Sequence, residues 1–312
     1  MLYKNFISFD NNIDVRESLF SGQSFLWNTL DYNGSYYASI LGGVIILIRQ
    51  VSCREIEVIA SDNLINGYVI NDFISQYFSI DVDIKSSLTD CIEYRYTGLW
   101  SVLQGYFSIK VLRQNPYETL ITFMCAQGIG MHLIRRQVSI LTHIYGEKKS
   151  ITLFGKEIIL HSFPTPERLS SVDPLVLSAC TNNNRIRATN IVLAAQAVAD
   201  GKIDLQALAN PAIPLAELRN TLCRNRGIGY KIADCIALFG LGRFDAFPID
   251  THVQQYLATW FNSTTALRPL TPARYLLLDA EARTFLNPEL AGYAGHILFH
   301  CWRKEVKKLR SF

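Results

Sequence analysis

Lys231 and Asp250, 19 residues apart, are the two side chains best suited by type and setting to do chemistry. Lys231 closes the run Asn225-Arg226-Gly227-Ile228-Gly229-Tyr230-Lys231, in which a glycine turn separates two apolar-periodic segments. Those segments, Pro214 to Cys223 and Lys231 to Phe239, read as helices. A lysine at a helix N-terminus meets the positive end of the dipole, which disfavours its ammonium form. The neutral amine is a nucleophile able to form a Schiff base at a sugar C1′. Asp250 lies in Pro248-Ile249-Asp250-Thr251-His252, before a helix with Val253, Leu257 and Phe261 as its apolar stripe. A carboxylate there can help deprotonate the lysine and stabilise positive charge on the sugar. The same spacing also fits a plain N-cap aspartate and a lysine that reaches into solvent. The turn itself, with Gly227 and Gly229, could present backbone amides to a phosphate without reading sequence. A helical hairpin buried in a core would use the same glycines.

The rest of the chain must position these groups. Tyr36 to Ile40, Val44 to Arg49 and Glu55 to Ile59 are short and rich in β-branched and aromatic residues, with Gly42-Gly43 as a hairpin signal. Gln23-Ser24-Phe25-Leu26-Trp27 alternates polar and apolar residues and predicts another strand. An antiparallel sheet covered on one face is expected. From about residue 106 the period becomes helical. Asn115-Pro116-Tyr117-Glu118 combines a cap, an N1 proline and an acidic first turn. Ile134, Val138, Leu141 and Tyr145 form a stripe that stops at Gly146; Ile191, Ala194, Ala195 and Val198 form one that stops at Gly201. Gly155, between Ile151-Thr152-Leu153-Phe154 and Ile158-Ile159-Leu160, suggests a small hairpin, and Leu290, Tyr293, Ile297 and Cys301 mark the last long helix. The expected fold class is α+β, with an antiparallel β-rich unit over 1–105, an α-helical unit over 106–312, and the helix–hairpin–helix at about 214–240.

Half the residues are apolar (49%) and 18% are charged, too apolar a balance for a disordered chain. The longest apolar run, Ile40 to Ile48, is far short of the roughly 20 residues of a membrane span. The start, Met1-Leu2-Tyr3-Lys4-Asn5, does not resemble a signal peptide. Seven scattered cysteines without a CxxC pair fit reduced thiols in a cytosolic setting, and no zinc or iron–sulfur ligand spacing is present. Charge is uneven: residues 1–105 hold 6 Lys/Arg against 12 Asp/Glu, the remainder 24 against 15. A nucleic-acid partner would therefore meet mainly the second part.

Taken together, the glycine hairpin, Lys231 and Pro248-Ile249-Asp250-Thr251-His252 resemble the helix–hairpin–helix DNA glycosylases, and within them the 8-oxoguanine DNA glycosylases with attached AP-lyase activity. Ser21-Gly22-Gln23-Ser24-Phe25-Leu26-Trp27, Leu112-Arg113-Gln114-Asn115-Pro116, Phe163-Pro164-Thr165 and Ala291-Gly292-Tyr293-Ala294 with Leu298-Phe299 extend the resemblance in order along nearly the whole chain. It implies Lys231 as the nucleophile and Asp250 as the essential carboxylate. Gly22 would offer its carbonyl to the N7 proton of the flipped base, and Cys235 and Phe299 would stack on its two faces. His252 would contact a phosphate, and Arg185 would contact DNA. From helical spacing alone, Cys235 and Phe299 are as well explained by core packing. The implied partner is damaged double-stranded DNA, bound by a monomer in the cytoplasm or nucleoid of a prokaryote (the nucleus of a eukaryote). No redox cofactor is implied; a monovalent or calcium ion on the hairpin carbonyls near Gly227 and Gly229 is.

The chain departs from that pattern where the family reads the lesion. Gly295 stands in place of a glutamine, leaving His296 or a water to compensate. Gly128-Ile129-Gly130 replaces the asparagine run, Leu133 an arginine, and Asn184 the wedge tyrosine, so that Asn182 to Asn184 are left to fill the gap behind the extruded base. Asn225-Arg226 replaces Leu-Pro in the hairpin. Besides an 8-oxoguanine glycosylase/lyase, a glycosylase for an alkylated or differently oxidised purine and a non-catalytic DNA-binding relative remain open.

Overall fold

Alternation and turn chemistry in the first 60 residues build a five-stranded antiparallel sheet. In this computed structural model, which describes residues 2–31, 35–153 and 155–309, its strands are β1 (Tyr3–Ser8), β2 (Asn28–Asp31), β3 (Ser35–Leu41), β4 (Val44–Ser52) and β5 (Glu55–Ala60), in the order β1-β5-β4-β3-β2. Leu41 pairs with Val44 across the Gly42-Gly43 turn. The opening strand runs back along β5, with Tyr3 opposite Ala60.

Both faces of this sheet are covered, not one. Ile46, Ile48, Ile56 and Val58 pack with Trp27, Ile70, Ile74 and Phe78 on one side. Ala38, Ile40, Ile45, Leu47 and Ile59 pack with Leu153, Ile158 and Leu160 on the other. The unbroken apolar run of β4, fully buried from Val44 to Ile48, is what a strand with two dry faces requires. The second cover is the hairpin of β8 (Lys148–Leu153) and β9 (Lys156–His161), which returns to the sheet across about 100 residues of sequence; β6 (Leu64–Ile65) and β7 (Tyr68–Val69) form a separate small ribbon. Met1 and Phe154, both part of the sequence reading, lie outside the described residues.

Gln23–Trp27 is not a strand. The Gln23 amide donates to the Lys110 carbonyl (2.8 Å) and its oxygen accepts from the Leu112 amide (2.8 Å), so a side chain does the work of a ladder. Alternation here reflects a loop shared between two cores: Phe25 enters the helical one and Trp27 the sheet one.

The helices begin and end where their capping residues stand. Asn115 accepts from the Tyr117 and Glu118 amides to start Pro116–Cys125. The helix Met131–Tyr145 stops at Gly146, and Arg185–Ala199 ends just short of Gly201. The hairpin helices are Leu215–Cys223 and Tyr230–Phe239; they are followed by Thr251–Trp260 and Ala291–Cys301, the last continuing into a π-helical turn over Trp302–Val306. Ile84, Leu88, Ile92 and Leu103, which precede residue 105, pack into the helical core. Among the described residues no helix is long and apolar enough to cross a membrane, and Cys53, Cys125, Cys180, Cys223, Cys235 and Cys301 are free thiols.

Candidate active site

A buried relay fixes the loop of Asp250 against the hairpin. Arg219, on the first hairpin helix, forms two bonds with Asp234 on the second, at 2.7 and 2.9 Å. The Tyr275 hydroxyl donates to the same carboxylate (2.6 Å) and accepts from the Ile249 amide (3.1 Å). Arg219 also reaches Asp279 at 3.0 Å. Breaking such a buried, bidentate pair by removing one partner leaves an unpaired charge, a loss of about 3–5 kcal/mol. Residues 249 and 250 are thereby held relative to the helix that begins one residue before Lys231.

Lys231 and Asp250 line one cleft of about 1100 Å³. Lys231 lies in the first turn of its helix, with its amine 5.3 Å from the centre of the Phe123 ring. Burial pushes the Cys235 thiol up to about 12, with Lys231 pulling the other way and Asp234 and Asp250 adding to the rise. Lys231 and Asp250 therefore act on one sulfur. Asp250 caps its helix by accepting from the His252 and Val253 amides at 2.9 and 3.0 Å. The structural and chemical readings of this residue are compatible, because one oxygen takes both bonds.

The remaining lining comes from the Ser21–Gly22 loop, the Met131 helix and the last helix. Gly22 has φ +96°, a backbone conformation that disfavours any side chain, and a Cβ there would lie 2.2 Å from the Met131 methyl, which would have to move. Next to it, the Ser21 hydroxyl and His296 Nε2 are 2.8 Å apart. Burial drives the His296 imidazole down to about 3, with His300 and Arg303 adding to the effect, so it is neutral at physiological pH. Phe299 stacks on His296 (6.1 Å, 25°) and meets His252 edge-on (5.7 Å). Burial pushes the His252 imidazole down, with Arg303 and Lys307 adding to the effect and Asp250 pulling the other way. At Gly295 a Cβ would fall 2.2 Å from Cε2 of Phe247. A ring fills the space a longer residue would need.

Of the residues singled out from sequence, Gly22, Gly229, Lys231, Cys235, Asp250, His252, Gly295 and Phe299 line this cleft. Gly227, Asn184 and Arg185 do not. Asn184 caps its helix by accepting from the Arg187 amide (2.9 Å), and Arg185 opens that helix. The Gly227 carbonyl accepts from the Gln127 side-chain amide, a bond that a hairpin-bound cation would have to displace. Among the described residues no cluster of His, Cys, Asp or Glu suits a metal. Phe123, Met131 and Arg303 also line the cleft and were missed from sequence. Arg303 carried a signal, since it follows Phe299 by four residues; Phe123 and Met131 carried none beyond ordinary apolarity.

A family model described as the N-terminal domain of 8-oxoguanine DNA glycosylase matches residues 6–120. The chain is 33% identical over 191 residues to the N-glycosylase/DNA lyase OGG1 of Arabidopsis thaliana, a match covering 61% of this chain and 51% of the plant protein. It thus spans about half the length of that curated relative. A structure of MBOgg1 in complex with a low affinity DNA ligand superposes with a TM-score of 0.80 at 26% identity, covering 96% of each chain. The 3-methyladenine DNA-glycosylase of Archaeoglobus fulgidus, at 17% identity and a TM-score of 0.68 over 96% of this chain and 98% of that one, shares the fold.

Proposed function

As the chain belongs to the helix–hairpin–helix DNA glycosylase superfamily, with 8-oxoguanine glycosylases among its neighbours, we propose that it is a bifunctional glycosylase and AP lyase that removes 8-oxoguanine from duplex DNA. The observation that supports this most is the presence of Lys231, Asp250 and Cys235 in one cleft. The damaged nucleotide flips out at a cost of a few kcal/mol, which a damaged pair lowers. Asp250 takes a proton from Lys231. The neutral amine attacks C1′, the C1′–N bond breaks, and the base leaves with the bonding pair and takes a proton from the alkylated amine. Loss of the ring C1′–O bond, with the Asp250 proton passing to the departing ring oxygen, then gives an iminium, which acidifies the C2′ protons. Removal of one expels the 3′ phosphate by β-elimination. Hairpin amides around Gly227 and Gly229 hold the backbone, and the protein acts as a monomer.

A second reading has its own support: the Watson–Crick edge of a flipped base would meet no side-chain amide at Gly295, an apolar position that also suits an alkylated purine. Single-turnover excision from duplexes carrying 8-oxoguanine, 3-methyladenine or undamaged guanine opposite each base separates the two. Fastest release of 8-oxoguanine supports the proposal; release no faster than that of guanine ends it. Borohydride trapping on an abasic duplex tests the lyase step, and tight binding without an adduct would leave only a DNA-binding relative.

A further inference from the structure

Arg303 is a buried cation without a protein partner. It is 6% exposed, and among the described residues its guanidinium enters no ion pair or hydrogen bond. Its nearest carboxylates are committed elsewhere. Glu17 binds His300 (2.8 Å) and Lys304 (3.0 Å), and Asp250 caps a helix. The guanidinium carbon lies 5.6 Å from the centre of the Phe299 ring, and the residue lines the cleft beside Gly22, Cys235 and Gly295. It stands on the π-helical turn Trp302–Val306, a wide turn of the kind that re-aims side chains at functional sites. Burying a charge unpaired is costly, so an unspent set of donors at a cleft wall implies an acceptor that arrives with the ligand.

Resting on the excision reading above, we propose that Arg303 donates to the carbonyl oxygen at the six-position of the flipped purine and so selects guanine-derived over adenine-derived bases. The groups around it favour this assignment. Gly295 offers that edge no side-chain polar atom, and Arg303 is the cation on the same helix end that lines the cleft. Lys307 and Lys308, of the same segment, are exposed and suit phosphates better. A guanidinium has donors only. Guanine-derived bases place an oxygen at the six-position, whereas adenine-derived bases place an amino group there, which sets donor against donor. Sites built around a buried hydrogen bond reject the analogue that cannot make it far more strongly than apolar pockets do.

The test uses the full chain and two duplexes identical but for 8-oxoguanine or 8-oxoadenine. Single-turnover release is measured for wild type, Arg303→Met and Arg303→Lys, with melting temperatures for all three. Arg303→Met is expected to slow release of 8-oxoguanine by about tenfold or more while the 8-oxoadenine rate stays within about threefold, so that the selectivity ratio collapses. Arg303→Lys, which keeps one donor, should give an intermediate ratio. An unchanged ratio, whether both rates fall together or neither does, overturns the proposal: the arginine then touches a phosphate or merely supports Phe299. A wild-type protein that releases neither base would be a different failure, that of the excision reading.

Discussion

The side of the cleft that carries Lys231 and Asp250 is tied together by charge-assisted hydrogen bonds running from Arg219 through Asp234 and Tyr275 to Ile249. The side that carries Gly22, His296, Phe299 and Arg303 is joined by a hydrogen bond between Ser21 and His296, by the bonds of Glu17 to His300 and Lys304, by ring contacts, and by glycines that leave room for neighbours. The first side keeps Lys231 and Asp250 and departs from the family pattern at Asn225-Arg226; the second departs at Gly295 and adds Arg303. Groups that break a bond tolerate little displacement, because misplacement by about 1 Å can cost a hundredfold in rate. Groups that recognise a base can be exchanged for others whose donors and acceptors reach the same space. On the proposed reading, reaction and substrate choice are carried by separable sets of residues.

The sharpest way to break this comparison is at the amine. Lys231→Gln should abolish borohydride trapping on an abasic duplex while duplex affinity stays within about threefold, since backbone contacts come from elsewhere. Collapse of affinity alongside trapping would mean that the lysine holds the fold and that the two sides are not separable. A smaller effect is expected on the recognition side. The folded-state imidazole of His296 titrates near 3, below its ordinary value of 6.5, so its stabilising contribution is complete above 6.5 and is lost as pH falls from there toward 3. His296→Gln, which keeps a hydrogen-bonding group for Ser21, should flatten the fall in melting temperature between pH 6.5 and 4. An unaltered slope would show that His296 is already solvated, and the link to the Gly22 loop weak. The smallest effect is expected outside the cleft. Asn184→Ala removes a helix cap and should lower stability by about 1 kcal/mol in chemical denaturation. A loss of duplex affinity beyond that would restore the DNA contact expected from sequence and extend the recognition surface past the cleft.

Much of the site could be read in advance because its signals are local. Gly227 and Gly229 mark a turn, Asp250 follows a proline and precedes an apolar stripe, and Cys235 follows Lys231 by one helical turn. The same locality explains the errors. The alternation of Gln23–Trp27 predicts a strand, but the Gln23 side chain pairs with the backbone at Lys110 and Leu112, partners almost 90 residues away. The sheet was expected to be covered on one face because nothing near β3 or β4 announces that β8 and β9 return to it. Asn184 and Arg185 stand beside a family landmark in sequence, yet a capping bond keeps the first at its own helix start.

By itself the sequence determined where helices begin and end, that the first 60 residues form an antiparallel sheet, and which amine and carboxylate could meet. These follow from capping, turn chemistry and side-chain period, each of which acts within a few residues. Only the tertiary structure decided that Phe247 occupies the space above Gly295, that Met131 covers Gly22, and that Arg303 lies buried against Phe299 with no ion pair among the described residues. Those outcomes depend on volume and charge contributed by segments far apart in the chain, and close packing settles them only when all the segments are in place.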